Sequence, residues 1–182
     1  MPQLIGIGGL KEHGKDTFAE GLGNDWKIVG MSDALFNALL ILDPYIDTDK
    51  GYVRVSALAE SYDYKGIKTF PEVRRLLQYL GTDVGRMLDE DIWIHKVNET
   101  VDRHHENGFN VAITGIRFKN EFDNVKSQGG QTVWVARERE DEAADGHVSE
   151  ASIDCRQFDV EIVNDGDVES LHAKARAFAS AT

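Results

Sequence analysis

Apolar residues recur along the chain in two rhythms. Short apolar runs at Leu4 to Ile7, Trp26 to Met31, Phe109 to Thr114, Thr132 to Ala136 and Phe158 to Val163 have the length of buried strands. Between them the spacing changes to that of helices. A first amphipathic segment covers Phe18 to Leu22, and a second follows the capping pair Ser32-Asp33 through Ala34, Leu35, Leu39 and Leu40. Phe70-Pro71 opens a third, in which Val73, Leu76, Leu77, Leu80 and Val84 share one face and Arg74, Arg75 and Gln78 form its flank. Gly81 and Gly85 weaken its far end, Thr82-Asp83 is expected to break it, and Arg86 sits beyond. A fourth runs from about Asp91 to Asn107 with Ile94, Val97 and Val101 inward, and Gly108 ends it. Gly115-Ile116-Arg117 is read as the turn after the third strand. Phe118, Phe122 and Val125 then mark a helix stopped by Gly129-Gly130, and Val168, Leu171, Ala175 and Phe178 give the closing helix its inner face.

Strands alternating with helices predict an α/β fold: a three-layer α/β/α arrangement around a five-stranded parallel sheet, with ligands gathered at the C-terminal edges of the strands. Gly14, Arg117, Arg137 and Asn164 all follow strands there. Asp43 to Thr69 is less regular and long for a loop, so short helices or a flap over a substrate are expected.

The first strand–helix junction carries the most specific chemistry. From Gly9 the chain reads Gly-Leu-Lys-Glu-His-Gly-Lys-Asp-Thr, which fits G-x-x-x-x-G-K, with His13 and Gly14 just ahead of Lys15. Successive backbone N–H groups at a helix N-terminus can point at phosphate oxygens, glycine lets the backbone approach, and the Lys15 ammonium can reach the β- and γ-phosphates. The loop predicts a bound nucleoside triphosphate. Where Ser or Thr normally supplies a hydroxyl to Mg²⁺, this chain has Asp16 followed by Thr17. Either oxygen suits that hard cation, and a carboxylate in a first helical turn equally complements the helix dipole.

Composition narrows the class. The 182 residues suit one domain, with 41% hydrophobic and 29% charged side chains and no apolar run long enough to span a bilayer. No basic stretch leading into an apolar one is found at the N-terminus, so no targeting peptide is expected. The one cysteine, Cys155, cannot form an internal disulfide, and a reducing cytoplasm is the expected setting. A net charge of −12 argues against a nucleic-acid polymer as partner, whereas a nucleotide needs only a local basic site.

Taken in order, Gly9 to Thr17, Val73-Arg74-Arg75-Leu76-Leu77-Gln78-Tyr79-Leu80-Gly81-Thr82-Asp83 and Asp91-Ile92-Trp93-Ile94 resemble the deoxynucleoside monophosphate kinases of bacteriophages. Ile116-Arg117-Phe118-Lys119-Asn120-Glu121, His147-Val148-Ser149-Glu150 and Ile162-Val163-Asn164-Asp165-Gly166 continue the likeness. The resemblance implies a P-loop kinase fold with a helical acceptor-binding region over about residues 32–90 and a lid over about 137–150. It implies transfer of the γ-phosphoryl of ATP, with Mg²⁺, to a deoxynucleoside monophosphate, and it is compatible with a homodimer. A largely dissociative transition state leaves the protein to position two anions and offset charge, so several arginines and Lys15 are the expected parts.

By that resemblance Arg74, Arg75, Gln78, Arg86, Trp93, Arg117 and Glu121 hold the acceptor, with Glu121 orienting Arg117 through an i, i+4 pair. Arg137 and Arg139 resemble lid arginines, and Asn164 and Gly166 fall where the family's loop surrounds the adenine of ATP. Each has a plainer reading: a solvated helix flank for Arg74 and Arg75, core packing for Trp93, a helix cap for His147, Ser149 and Glu150, and a simple turn for Asn164-Asp165-Gly166. One departure stands out. Where the family commonly carries Asp two positions before the strand-end arginine, this chain has Gly115, and Asp16 is expected to matter more in consequence. Two other functions fit the phosphate loop: a kinase for another small acceptor, such as a coenzyme precursor or sugar acid, and a nucleotide-binding regulator without turnover.

Overall fold

The computed structural model describes residues 2–49, 51–137 and 153–181. These fall into two compact units, Met1–Met31 with Val97–Thr182, and Ser32–Lys96.

In the first unit five strands form a parallel sheet: β1 (Leu4–Gly8), β2 (Trp26–Gly30), β5 (Asn110–Ile116), β6 (Gln131–Ala136) and β7 (Val160–Val163). Their order across the sheet is β2-β5-β1-β6-β7, which puts β1 in the centre. Such a strand is covered on both faces and must be apolar throughout, as Leu4, Ile5 and Ile7 are. Side chains alternate between the two covers. Ile5, Ile7, Ala112, Val133 and Val135 pack with Phe18, Ala19 and Leu22 around α1 (Lys15–Glu20) and with Leu171 and Ala175 of α9 (Val168–Ala181). On the other face Leu4, Val29, Val111, Ile113 and Ile116 meet Val97 and Val101 of α7 (Ile92–Glu106), Phe122 and Val125 of α8 (Lys119–Ser127), and Phe158. The three-layer parallel fold expected from the alternation is therefore present.

Several boundaries differ. The helix after the phosphate loop starts at Lys15, not Phe18, because the loop's last glycine already turns the chain into it. The strand expected to end at Thr114 continues to Ile116, with the pairing to β1 slipping so that Ile7 faces Thr114 and Gly8 faces Ile116. Gly115 is the extra residue of this bulge, at φ +84°, a conformation side chains resist. Phe158 lies outside β7 and packs edge-on against Phe122 at 5.2 Å. Val168, expected inside, is 60% exposed, since α9 turns its Leu171 and Ala175 to the core instead.

The second unit has its own core: Leu39, Ile46, Val55, Leu58, Ile67, Val73 and Leu77. It contains α2 (Asp33–Leu42), a hairpin of β3 (Tyr45–Thr48) and β4 (Gly51–Arg54), α3 (Val55–Ala59), α4 (Tyr64–Ile67) and α5 (Pro71–Gln78). The short helices expected between Asp43 and Thr69 are there, but the hairpin was not foreseen. Its strands have four residues each, and alternation that brief, with Ile46 and Val53 paired on the inner face, is too short to read as a period. Ser32 does not cap α2 with its side chain; its hydroxyl instead receives a hydrogen bond from the Tyr64 phenol at 2.5 Å.

The expected break after α5 is absent as well. The chain continues as a π-helical segment, Tyr79–Gly85, and then α6 (Arg86–Leu88). A Cβ at Gly81 would lie 2.8 Å from Leu35 Cδ2, and one at Gly85 2.7 Å from Trp93 Cζ2, so both glycines serve close packing. The Trp93 indole N–H donates to the Gly81 carbonyl at 2.8 Å. That bond gives the Gly81 carbonyl a partner within the π-helical segment. Among the described residues no helix is long and apolar enough to cross a membrane.

Candidate active site

The phosphate loop joins β1 to α1 at the C-terminal edge of the sheet. Its apex is held from below by two side-chain contacts. The Asn164 amide, just after β7 and 6% exposed, donates to the His13 carbonyl at 3.0 Å, and the Asn164 N–H donates to the Ala136 carbonyl at 2.7 Å. In a trans peptide the N–H points opposite to the C=O, so fixing the His13 carbonyl turns the Gly14 N–H to the other side of the loop. Gly14 sits at φ +96°, and a Cβ there would meet Asn164 Nδ2 at 2.7 Å and Leu171 Cδ2 at 2.9 Å. Only glycine fits both the turn and the packing. The second contact is through the His13 ring, 4% exposed, whose Nδ1 accepts the Arg137 N–H at 3.1 Å.

Lys15 opens α1 and lays its ammonium back over the loop, donating to the Leu10 carbonyl at 2.7 Å. Asp16 is the acidic residue of the first turn and is exposed; Thr17 beside it is half-buried. Their carboxylate and hydroxyl are hard oxygen donors of the kind Mg²⁺ selects.

Across from the loop stands the end of β5. Gly9, Leu10, Lys11, Ile116, Arg117, Trp134 and Ile153 line one shallow open cleft, so the strand-end arginine and the start of the phosphate loop border the same depression. Glu121, buried at 5% exposure, shapes this end of the strand. Its carboxylate accepts the main-chain N–H of Phe118, the N-cap of α8, at 3.1 Å, and that of Arg117 just before it at 2.8 Å. The contact that Glu121 makes one turn back is to the Arg117 backbone N–H, whereas the expected i, i+4 pair was with the arginine's side chain.

Among the remaining predicted site residues, Gly166 lies in an exposed turn stabilised by Asp167, whose carboxylate accepts the Ser170 N–H at 2.8 Å. Arg74, Arg75, Gln78, Arg86 and Trp93 belong to the second unit. The flank of α5 is exposed as expected, and Arg75 makes a two-point pair with Glu72 at 2.9 and 2.7 Å. That pairing raises the Arg75 pKa and lowers that of Glu72, the mutual hydrogen bond being the largest cause. Exposed pairs of this kind contribute little, so a phosphate can replace the carboxylate at small cost. Arg86 donates to the Glu90 carbonyl at 3.3 Å. Trp93 is occupied by packing on Gly85 and by its bond to Gly81, which favours its plainer reading as a structural residue. Arg139, His147, Ser149 and Glu150 lie outside the described residues, as does the predicted lid apart from Arg137. Sequence reasoning placed Asn164 and His13 near the nucleotide but did not see that they bind each other; residues 151 apart carry no local sign of contact.

Comparison with known proteins agrees with this architecture. An unliganded crystal structure of a sugar kinase from Janibacter sp. HTCC2649 superposes with a TM-score of 0.51 over 99% of this chain and 95% of that one, at 15% identity, a likeness of fold alone. The deoxynucleotide monophosphate kinase of Escherichia phage RB69 is 27% identical over 181 residues, 88% of this chain and 74% of that protein. An uncharacterized protein, ORF77, of Ictalurid herpesvirus 1 (strain Auburn) is 32% identical over 111 residues, covering 59% of this chain but only about half, 48%, of that protein. The family model of deoxynucleotide monophosphate kinase matches residues 47–175, well over half of the sequence. The chain belongs to the deoxynucleotide monophosphate kinase family.

Proposed function

We propose that this protein transfers the γ-phosphoryl group of ATP to a deoxynucleoside monophosphate, with Mg²⁺ on the triphosphate, giving the diphosphate and ADP. The observation that carries the reading is the cleft that Arg117 shares with the first residues of the phosphate loop, Gly9 to Lys11. A nucleotide switch has one anion to hold; a kinase has two, and a second cationic group facing the loop serves the second.

Family membership supports phosphoryl transfer, and the residues support a division of labour. The Gly14 N–H, oriented through the His13 carbonyl, and the Lys15 ammonium receive the donor phosphates, Lys15 exchanging the neutral Leu10 carbonyl for anionic oxygens. Arg117 takes the transferring group or the acceptor phosphate, on a backbone that Glu121 keeps in place. Asp16 and Thr17 are the residues that would hold Mg²⁺, which when bound offsets charge on the β- and γ-phosphates. Arg74, Arg75, Gln78 and Arg86 supply cations and a hydrogen-bonding group for the acceptor, with Arg137 and Arg139 as further phosphate contacts. Trp93 shapes this region by packing. Gly166 is left as the residue beside the adenine, while Asn164 serves the phosphate loop. The acidic surface favours a free nucleotide over a nucleic-acid polymer.

A coupled assay of ADP formation with each deoxynucleoside and ribonucleoside monophosphate tests the proposal. ADP release that depends on a deoxynucleoside monophosphate is the expected result. Release only with a sugar acid or coenzyme precursor would make it a different small-acceptor kinase, and ATP binding without acceptor-dependent release a regulator.

A further inference from the structure

His13 occupies a position in the phosphate loop where its backbone and its side chain are both engaged, in different directions. The carbonyl is held by Asn164, and the buried ring accepts the N–H of Arg137, the first residue beyond β6. Asn164 in turn donates its own N–H to Ala136, the last residue of β6. The three bonds close a ring through the loop apex, the end of β6 and the residue after β7. Two of its corners, Ala136 and Asn164, are joined by main chain as any neighbouring strands are. The third, His13, is held by two side-chain contacts: the Asn164 amide on its carbonyl and, toward Arg137, one atom of its own ring.

That atom must be an acceptor at the distance of Nδ1 from the backbone. Neutral imidazole provides it when the proton is on Nε2; lysine and arginine have no acceptor, and an aliphatic side chain would leave the Arg137 N–H unpaired next to a buried group. We infer that His13 is a positioning residue: its Nδ1 ties the start of the Arg137 segment to the apex of the phosphate loop, so that the arginine's backbone and the phosphate-binding amides keep one fixed relation. This deepens the kinase reading and rests on it for its kinetic consequence, because misplacing a phosphate-binding group by a fraction of its reach lowers turnover without removing any contact residue.

Three substitutions separate this role from mere packing. His13→Asn keeps an acceptor oxygen where Nδ1 stands, His13→Gln moves it one bond farther out, and His13→Leu fills the space with no acceptor. Two readouts are taken on variants that retain the wild-type circular dichroism spectrum: hydrogen exchange of the Arg137 amide, and kcat with the best deoxynucleoside monophosphate. The Arg137 amide should exchange faster by about tenfold or more in His13→Gln and His13→Leu, as expected for loss of one partly buried hydrogen bond, and stay near wild type in His13→Asn. Turnover should fall about tenfold or more in the first two and recover to within about threefold in the third. Arg137 exchange that is unchanged in His13→Leu, or a His13→Asn variant no better than His13→Gln in either readout, overturns the inference. A wild-type protein that phosphorylates no acceptor would refute the kinase reading while leaving the exchange comparison to decide His13 by itself.

Discussion

Asn164 and His13 stand 151 residues apart in the chain and meet at the bottom of the phosphate loop, the Asn164 side-chain amide donating to the His13 carbonyl at 3.0 Å. Because the carbonyl direction sets the amide direction of the same peptide, this one bond orients the Gly14 N–H that a phosphate would meet. Asn164→Ala should therefore act on both stability and nucleotide binding. Losing a buried hydrogen bond costs about 1–3 kcal/mol. Asn164→Asp should be worse than Ala, since it sets an anionic acceptor against a carbonyl. Calorimetric unfolding and ATP titration on both variants check this; an Asp variant as stable as wild type would contradict the assigned contact.

Lys15→Ala should leave the fold intact, because the side chain's hydrogen bond to Leu10 lies at the loop surface and not in the core. Turnover should drop by at least about a hundredfold, as one preorganised charge on a transferring phosphoryl group is worth roughly 3 kcal/mol. Steady-state kinetics on the folded variant gives the answer, and near-normal kcat would remove the loop from the mechanism.

Arg117 shares its cleft with the first residues of the loop, and its backbone is pinned by Glu121. Replacement by Ala is expected to raise KM for the monophosphate or lower kcat/KM for it, with little change in ATP affinity. If ATP affinity collapses while acceptor dependence persists, Arg117 belongs to the donor side.

Asp16 and Gly115 form a linked pair of tests. Asp16→Asn should lower the Mg²⁺-dependent rate at least about tenfold if the carboxylate contributes to holding the metal; an unchanged rate and unchanged Mg²⁺ dependence would make it only a helix cap. Gly115→Asp restores the family's carboxylate at a bulge with φ +84°, where a Cβ meets no atom within 4 Å. Its penalty is then conformational, about 1 kcal/mol, and not steric. The variant should fold with a modestly lowered Tm, and combining it with Asp16→Asn shows whether one carboxylate can stand in for the other.

A pH dependence follows from Asp159. Burial by itself raises its pKa, but the Lys126 ammonium at 2.7 Å and the Thr132 N–H and hydroxyl outweigh that and bring it below the ordinary value of 3.8. A carboxylate with a lowered folded-state pKa stabilises the protein above its unfolded value, and that stabilisation is lost as pH falls through the folded one. Acid unfolding below about pH 4 should thus be steeper in the wild type than in Asp159→Asn. Parallel acid titrations followed by tryptophan fluorescence test it, equal slopes being the contrary result.

The order of strands and helices was legible in the sequence because it rests on local rules. Consecutive apolar residues such as Leu4, Ile5 and Ile7 suit a strand covered on both faces, Pro71 starts a helix where its missing N–H costs nothing, and the glycine–lysine loop needs its residues adjacent in the chain. Family likeness was legible for the same reason, since its motifs are short and contiguous. Tertiary structure decided everything that depends on which residues meet. Gly81 and Gly85 look like helix breakers until Leu35 and Trp93 are seen to fill the space their missing side chains leave. Gly115 looks like a turn until β1 is laid beside β5 and the register slips past it. Asn164 reads equally well as a turn residue or a base contact, and only its burial against His13 assigns its amide to the loop. In each case the deciding interaction joins groups distant in the chain. Periodicity and propensity describe a residue against its sequence neighbours, and a hydrogen bond or packing contact across 151 positions leaves no trace in either.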